Sequence, residues 1–233
     1  MTFQSKTVME RAATTLQDAT NIRWPLRELH GYLNDGLREI VTIKPSAKSK
    51  TVNISLASGT LQTLAPEHVI LSRAVRNMTE SGGGKAIRRL DSRSIMDSHM
   101  PSWQDPSAMP FAKSVVHVIH DIANPTQFYV VPGNDGTGVI EAVVGAMPTP
   151  SPEPAAPDSL ASYSDIVDMP DSYFNGLVDY VIYRSYSKDS RVAGSAMRSQ
   201  AHFQLFRTSI TGFSESETGM SLAAANAQAK DGS

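Results

Sequence analysis

Five large apolar residues, Leu26, Leu29, Leu33, Leu37 and Ile40, recur at intervals of three and four between Pro25 and Pro45. That spacing lines them along one side of a 3.6-residue helix, so the segment has a stripe to bury. Tyr32 and Val41 widen the stripe. Proline suits the first helical position because its missing N–H has no helical partner there, and Lys44 and Pro45 close the run. Gly31, Asn34, Asp35, Gly36 and Arg38 interrupt it. Each glycine costs about 1 kcal/mol of helix propensity relative to alanine, a cost that makes sense where two backbones approach closely. The segment therefore predicts a helix with one side in a core and a second side reserved for another contact.

Helical spacing returns near both chain ends. Val8, Ala12 and Leu16 predict a short helix over Thr7 to Gln17. Phe174, Leu177, Val178, Val181 and Ile182 predict one over Asp171 to Ser187. A final helix, roughly Lys188 to Thr211, presents Val192, Ala196, Ala201, Phe203, Phe206 and Ile210. Gly194 marks a kink or close packing, and Gly212 is a plausible C-cap.

Between these ends the period drops to two. Val52, Ile54 and Leu56 alternate with polar residues, as a half-buried strand requires. Further strands are predicted over His68 to Met78, Ser114 to Ile119, Gln127 to Val131 and Val139 to Gly145. KAIRRL returns from the glycine tip Ser81 to Lys85 as the second arm of a hairpin. A short helix over Asp91 to His99 is capped by Asp91 or Ser92. About six strands with few crossover helices predict an antiparallel meander, as one sheet or a small sandwich.

The expected class is α+β: a four-helix-type bundle from the N- and C-terminal helices, an inserted antiparallel sheet or sandwich, and an extended C-terminal tail. The expected divisions are 1–45 for the first helices, 46–150 for the β-rich insertion, 151–170 for a proline-rich linker, 171–212 for the last helices and 213–233 for the tail. Five prolines between Met147 and Pro157 make the linker extended and semi-rigid. The tail is small and polar, a composition that needs a partner to order it.

Chemistry-bearing patterns are sparse. The 233 residues include no cysteine, which excludes disulfides and cysteine-based zinc sites or nucleophiles. A formal charge of −2 argues against a dedicated nucleic-acid binder. The stretch MTFQSKTVMERAATT has no apolar run resembling a secretory signal. No segment has the roughly 18 continuous apolar residues of a membrane span. His117 and His120, near Asp121, point to opposite faces of a strand and make a poor metal pair. His30 and His202 lack a helical partner at i+4 and are expected at a surface or interface. Gly82, Gly83, Gly84 and Lys85 lack the GxxxxGK[ST] spacing of a phosphate loop. No GxSxG elbow occurs. Arg73, Arg76, Lys85, Arg88, Arg89 and Arg93 face only Glu80 and Asp91 in their own window, so the hairpin is either a solvated basic surface or a contact for an acidic partner or DNA. No aromatics interleave with these charges, which disfavours base stacking. No cofactor and no catalytic or metal-binding residue is indicated, and the chain is not read as an enzyme.

Three blocks carry a family resemblance: RWPLRELHGYLNDGLREIV, LQTLAPEHVILSRAVRNM and YVIYRSYSKDSRVAGSAMRSQAHFQLF, supported by FYVVP after DIANPTQ. In combination they resemble the bacteriophage head-to-tail adaptor proteins, also called connector or head completion proteins, from Val8 to about Ile210 apart from the proline linker. Tyr32 stands where a tryptophan is frequent in that family, and Leu37 where a glutamine is frequent. The resemblance implies a structural virion protein of the neck, made in the host bacterial cytoplasm. It implies a homo-oligomeric ring of about twelve copies whose two different faces meet and close. The ring would join the portal protein to a tail or nozzle protein and continue the channel through which genomic DNA passes without sequence-specific binding. On that reading Gly31, Asn34, Asp35, Arg38, Arg184 and Asp189 are candidates for the subunit interface. Phe213, Met220 and Leu222 are candidates for portal docking. Gly82, Gly83, Gly84, Lys85 and Arg88 form a loop facing the tail or the lumen. A minor tail or nozzle protein, a DNA-contacting module and a hydrolase with dispersed residues are the competing readings.

Overall fold

The computed structural model describes residues 2–90, 92–121, 123–189 and 192–212. The fold is mixed α and β, with five α-helices and two sheets among the described residues. The chain divides into two compact units. One joins Met1–Ala47 to the segment from Pro148 onward, and the other is Lys48–Met147.

In the first unit the helices are α1 (Ser5–Leu16), α2 (Leu26–Ile43), α4 (Phe174–Lys188) and α5 (195–212). The predicted stripe is the core of α2: Leu29, Leu33, Leu37 and Ile40 are at most 1% exposed. Val8, Met9 and Ala12 of α1 are fully buried, as are Leu177 and Val181 of α4. Truncating one such leucine to alanine costs about 2–5 kcal/mol. Pro25 stands one place earlier than predicted, as the N-cap. Gln17 turns into the left-handed region (φ 58°) and ends α1, its N–H donating to the carbonyls of Ala13 and Thr14. The polar break that follows is wired by Asp18, whose carboxylate accepts the backbone N–H groups of Ile22, Arg23 and Trp24 at 2.9–3.1 Å.

The last helix differs from its predicted face. Val192, Ala196 and Ala201 are exposed, whereas Ser195, Ser199, Phe206 and Ile210 turn inward. Small hydroxyl side chains allow close helix approach, and they find partners there. Ser199 Oγ lies 2.7 Å from Ser187 Oγ and 3.3 Å from the Tyr183 carbonyl. Gly194, at φ 82°, adopts the backbone conformation that glycine tolerates best, just before α5 begins.

The second unit contains β1 (Ser49–Ser55), β2 (Gly59–Thr63), β3 (His68–Asn77), β4 (Arg88–Leu90), α3 (Arg93–His99), β5 (His117–His120), β6 (Gln127–Asn134) and β7 (Val139–Ala146). Among the described residues there are seven strands, with β2 unanticipated, and they are not a meander. One sheet has the order β1-β7-β3, and the other β2-β6-β5-β4. The turn after β6 therefore passes between sheets. Buried Asn134 holds it: its amide donates to the carbonyls of Ala112 and Lys113, and its Oδ1 accepts from Gly136 and Gly138. The predicted hairpin is also corrected. The returning arm bonds to β3 only at Asn77–Lys85 and Val75–Ile87. Then β4 leaves and pairs in parallel with β5. A single apolar cluster, including Leu71, Val118, Phe128, Val130, Ile140 and Val144, draws on both sheets. A smaller cluster surrounds fully buried Trp103, whose indole donates to Asp97 at 2.8 Å.

Candidate functional site

The two sides of α2 have different occupants. Its polar side meets α4 in a ladder that runs in opposite directions on the two helices. Lys188 Nζ reaches Glu28 at 2.6 Å, and the Tyr32 hydroxyl donates to Glu28 at 2.7 Å. The Arg184 guanidinium lies over the Tyr32 ring at 5.1 Å, donates to the Tyr180 hydroxyl at 3.2 Å and pairs with Asp35 at 3.4 Å. Arg38 approaches the same carboxylate at 3.4 Å. Past Lys188, Asp189 receives Arg23 at 2.5 Å. Burial, the Glu28 hydrogen bond and the Glu28 charge raise the Tyr32 phenol far above its ordinary value. Glu28 itself is held below the usual carboxylate range: burial opposes this, and the hydrogen bonds from Lys188 and Tyr32 outweigh it.

Asn34 points to a different partner, the proline-rich segment. Its amide donates to the Ser151 carbonyl at 3.0 Å, and its Oδ1 accepts the Ser151 N–H at 2.8 Å. Ser151 Oγ also meets buried Ser5 Oγ at 2.9 Å. Further along, Tyr163 is 1% exposed and lies on His30, while its hydroxyl donates to the Pro157 carbonyl at 2.8 Å. The backbone N–H groups of Ser5 and Lys6 donate to the carbonyls of Asp165 and Tyr163, and that of Val167 donates to Phe3. Residues 148–173 are thus a strap fastened along the helices. The tyrosine and the Val167–Met169 pair, buried apolar residues among prolines, were the overlooked signals.

These contacts place the interface candidates. Asn34, Asp35, Arg184 and Asp189 all have partners in their own chain. Gly36, one of the interruptions on the side reserved for another contact, is buried against α4 of its own chain: a Cβ there would stand 2.9 Å from the Tyr180 ring. Gly31 and Arg38 remain exposed, and nothing lies within 4 Å of a Cβ built on Gly31. The histidine expectations also change. His30 is buried, with no hydrogen-bond partner for Nε2 among the described residues. His202 Nδ1 lies 2.8 Å from Asp179 Oδ1, a carboxylate supplied by α4 and so invisible to i+4 spacing.

In the second unit the glycine tip is exposed from Gly82 to Gly84, with Gly82 at φ 90°. A side chain on Gly84 would overlap the Asn77 carbonyl. The basic residues nearby have more acidic company than their window suggested. Arg76 pairs with Glu141 at 2.8 Å on β7, and Arg93 with Asp97 at 3.3 Å while lying over Tyr129. Arg73, Arg88, Arg89 and His120 line a cleft of ≈260 Å³. Burial and the Arg89 charge lower the His120 pKa, and burial and the Arg88 charge lower that of His117.

Among the described residues no His, Asp or Glu group could hold a metal, and no helix is long and apolar enough to cross a membrane. Phe213, Met220 and Leu222 lie outside the described residues. The features that stand out on the described residues are the α2–α4 edge, the strap, the outer side of α5 and the basic tip. A family model described as SU10 adaptor protein matches residues 1–228. No curated protein matches the chain.

Proposed function

The chain belongs to the SU10 adaptor protein family, and on that premise we propose that it is a structural protein of the phage neck, forming a ring that joins the portal to the tail and extends the DNA channel. The match across nearly the whole chain carries this reading. The four helices of the first unit, arranged as a bundle, would form the ring wall. Gly31, Asn34, Asp35, Arg38, Arg184 and Asp189 would form one edge of that wall, all but Gly31 stiffened by pairings within the chain. The two sheets of the second unit, packed as a sandwich, would carry Gly82, Gly83, Gly84, Lys85 and Arg88 toward the tail or the lumen. The segment with Phe213, Met220 and Leu222 would dock on the portal. A ring needs two complementary faces that close by rotation, about twelve times here, and no active site. A mildly acidic chain suits a channel wall along which DNA must slide without sticking.

The test is cryo-EM and mass measurement of the full chain mixed with the portal protein of its phage. A closed ring on the portal is expected. A chain that stays monomeric and unbound with portal present overturns the reading. Deleting residues 213–233 should leave the domain folded and weaken portal attachment, and loss of folding would contradict the docking role. The cleft with Arg73, Arg88 and Arg89 favours a second reading, DNA contact, which predicts salt-dependent binding to duplex DNA by the free protein.

A further inference from the structure

We propose that the ring contact is made by the outer side of α5 from one copy against the acidic strap of the next. This inference rests on the ring reading above and names its two faces.

Among the described residues, the outer side of α5 is an apolar stripe without an occupant. Met197, Ala201 and Leu205 succeed one another at four-residue intervals, and all are exposed, with Met197 at 78% and Leu205 at 54%. The opposite side of the same helix already holds Phe206 and Ile210 in the core. Helical geometry places Arg198 on one border of the stripe and Arg207 on the other. Both are exposed and make no ion pair with the described residues, although Arg198 also lies over the Tyr186 ring at 5.7 Å. Residues 195–212 contain no Asp or Glu.

The strap has the opposite character. Residues 148–173 contain Glu153, Asp158, Asp165, Asp168 and Asp171 and no Lys or Arg. Asp158, Asp165 and Asp171 are exposed and make no ion pair with the described residues. Among them stands Ile166, 62% exposed, an apolar side chain in an acidic surround. Its backbone is fixed by the bridge to Gln4, and the strap is fixed on α2 through Ser151. It is a prepared surface.

The two faces match in both respects. An apolar stripe bordered by arginines meets an apolar knob bordered by aspartates. Charge complementarity of this kind sets register and selects the partner. Because the faces differ, the contact is head-to-tail, the type that generates rings. The occupant of the stripe is a second copy of this chain.

The chain has no cysteine, so introduced pairs report without background. Ile166→Cys and Met197→Cys are made singly and together in the full chain, assembled on portal protein, and oxidised. The double variant is expected to give a ladder of covalent oligomers, and each single variant none. A ring without that ladder overturns the contact and leaves the ring reading standing. Absence of any ring, with portal present, overturns both. Dimers from Met197→Cys alone would show α5 meeting α5 and overturn the proposal. So would a link from Met197→Cys to Leu222→Cys in its place, which would put the chain's own C-terminal segment on the stripe. As an independent measurement, Arg198→Glu with Arg207→Glu should abolish assembly, and adding Asp158→Lys with Asp165→Lys should restore it. Failure of that rescue would count against the pairing.

Discussion

Gly36 of α2 lies beneath the ring of Tyr180 of α4, so close that a Cβ on the glycine would stand 2.9 Å from Cδ1 and 3.1 Å from Leu177 Cδ2. Tyr180 cannot easily withdraw. It is 5% exposed, its hydroxyl is bonded to Arg184, and its ring is packed 4.9 Å from that of Phe206.

The two glycines of α2 should therefore answer alanine with opposite signs. Gly31→Ala enters open space and gains about 1 kcal/mol of helix propensity. Gly36→Ala makes the same gain but forces apart a packed seam, at about 1–3 kcal/mol. Urea denaturation followed by Trp24 fluorescence in a Trp103→Phe background should show the first variant stabilised and the second destabilised. Equal shifts of one sign would refute the close approach.

Asn34 is the main side-chain anchor of the strap on α2. Asn34→Ala removes two hydrogen bonds and leaves the Ser151 backbone groups seeking water, a loss of about 1–3 kcal/mol. Limited proteolysis should show faster cleavage within residues 148–162, with the helical far-UV signal retained.

The strap should also loosen in mild acid. His30, beneath Tyr163, has its pKa lowered from the ordinary 6.5, chiefly by burial, with Glu153 and Asp165 opposing. A lowered folded pKa means that the unfolded state takes up a proton first as pH falls. The stability linked to His30 is therefore complete above about pH 6.5 and is lost as pH drops through the lower folded value. Corrected for the intrinsic rate at each pH, the hydrogen-exchange protection factors of Tyr163 and Val167 should fall between pH 7 and 5 in the native chain and stay flat in His30→Phe. A pH response surviving that substitution would assign the effect elsewhere.

Asn77 performs the corresponding task in the β unit. It is 5% exposed, donates to the carbonyls of Lys85 and Val115 at 3.1 and 2.8 Å, and accepts the Val115 N–H at 2.7 Å. Asn77→Ala would strand the buried N–H and carbonyl of Val115, while the Lys85 carbonyl keeps the Asn77 backbone N–H. A loss of about 2–4 kcal/mol is expected, read from Trp103 fluorescence in a Trp24→Phe background. A change under about 0.5 kcal/mol, the ordinary scatter for surface sites, would show that water replaces the amide.

Periodicity was sufficient for most of the local elements, though not for β2 or for the inward face of α5. The stripe from Leu26 to Ile40 and the alternation from Val52 to Leu56 each follow from a side-chain repeat that depends on neighbours a few residues away. The mixed α and β class follows from the same signal, and the adaptor resemblance from blocks that the family match supports. Strand partners do not follow, because a pleated strand can pair on either edge and its hydrogen bonds carry no side-chain label. So β6 and β7, adjacent in the chain, belong to different sheets, and β4 abandons its hairpin for β5.

Only the tertiary structure decided which polar residues remain available. Asp179 and His202 are 23 positions apart, and Asn34 and Ser151 are 117 apart. Each residue taken singly has the composition of a surface group. The amino-acid order determined the apolar sides of α1, α2 and α4, and that helices flank the β-rich segment on both sides. Packing determined that α2's polar side is consumed by α4 and the strap, while no described residue covers the outer side of α5. The reason is physical: burial is set by the short-range repeat, but satisfying a polar group requires a partner whose position in space the local sequence does not specify.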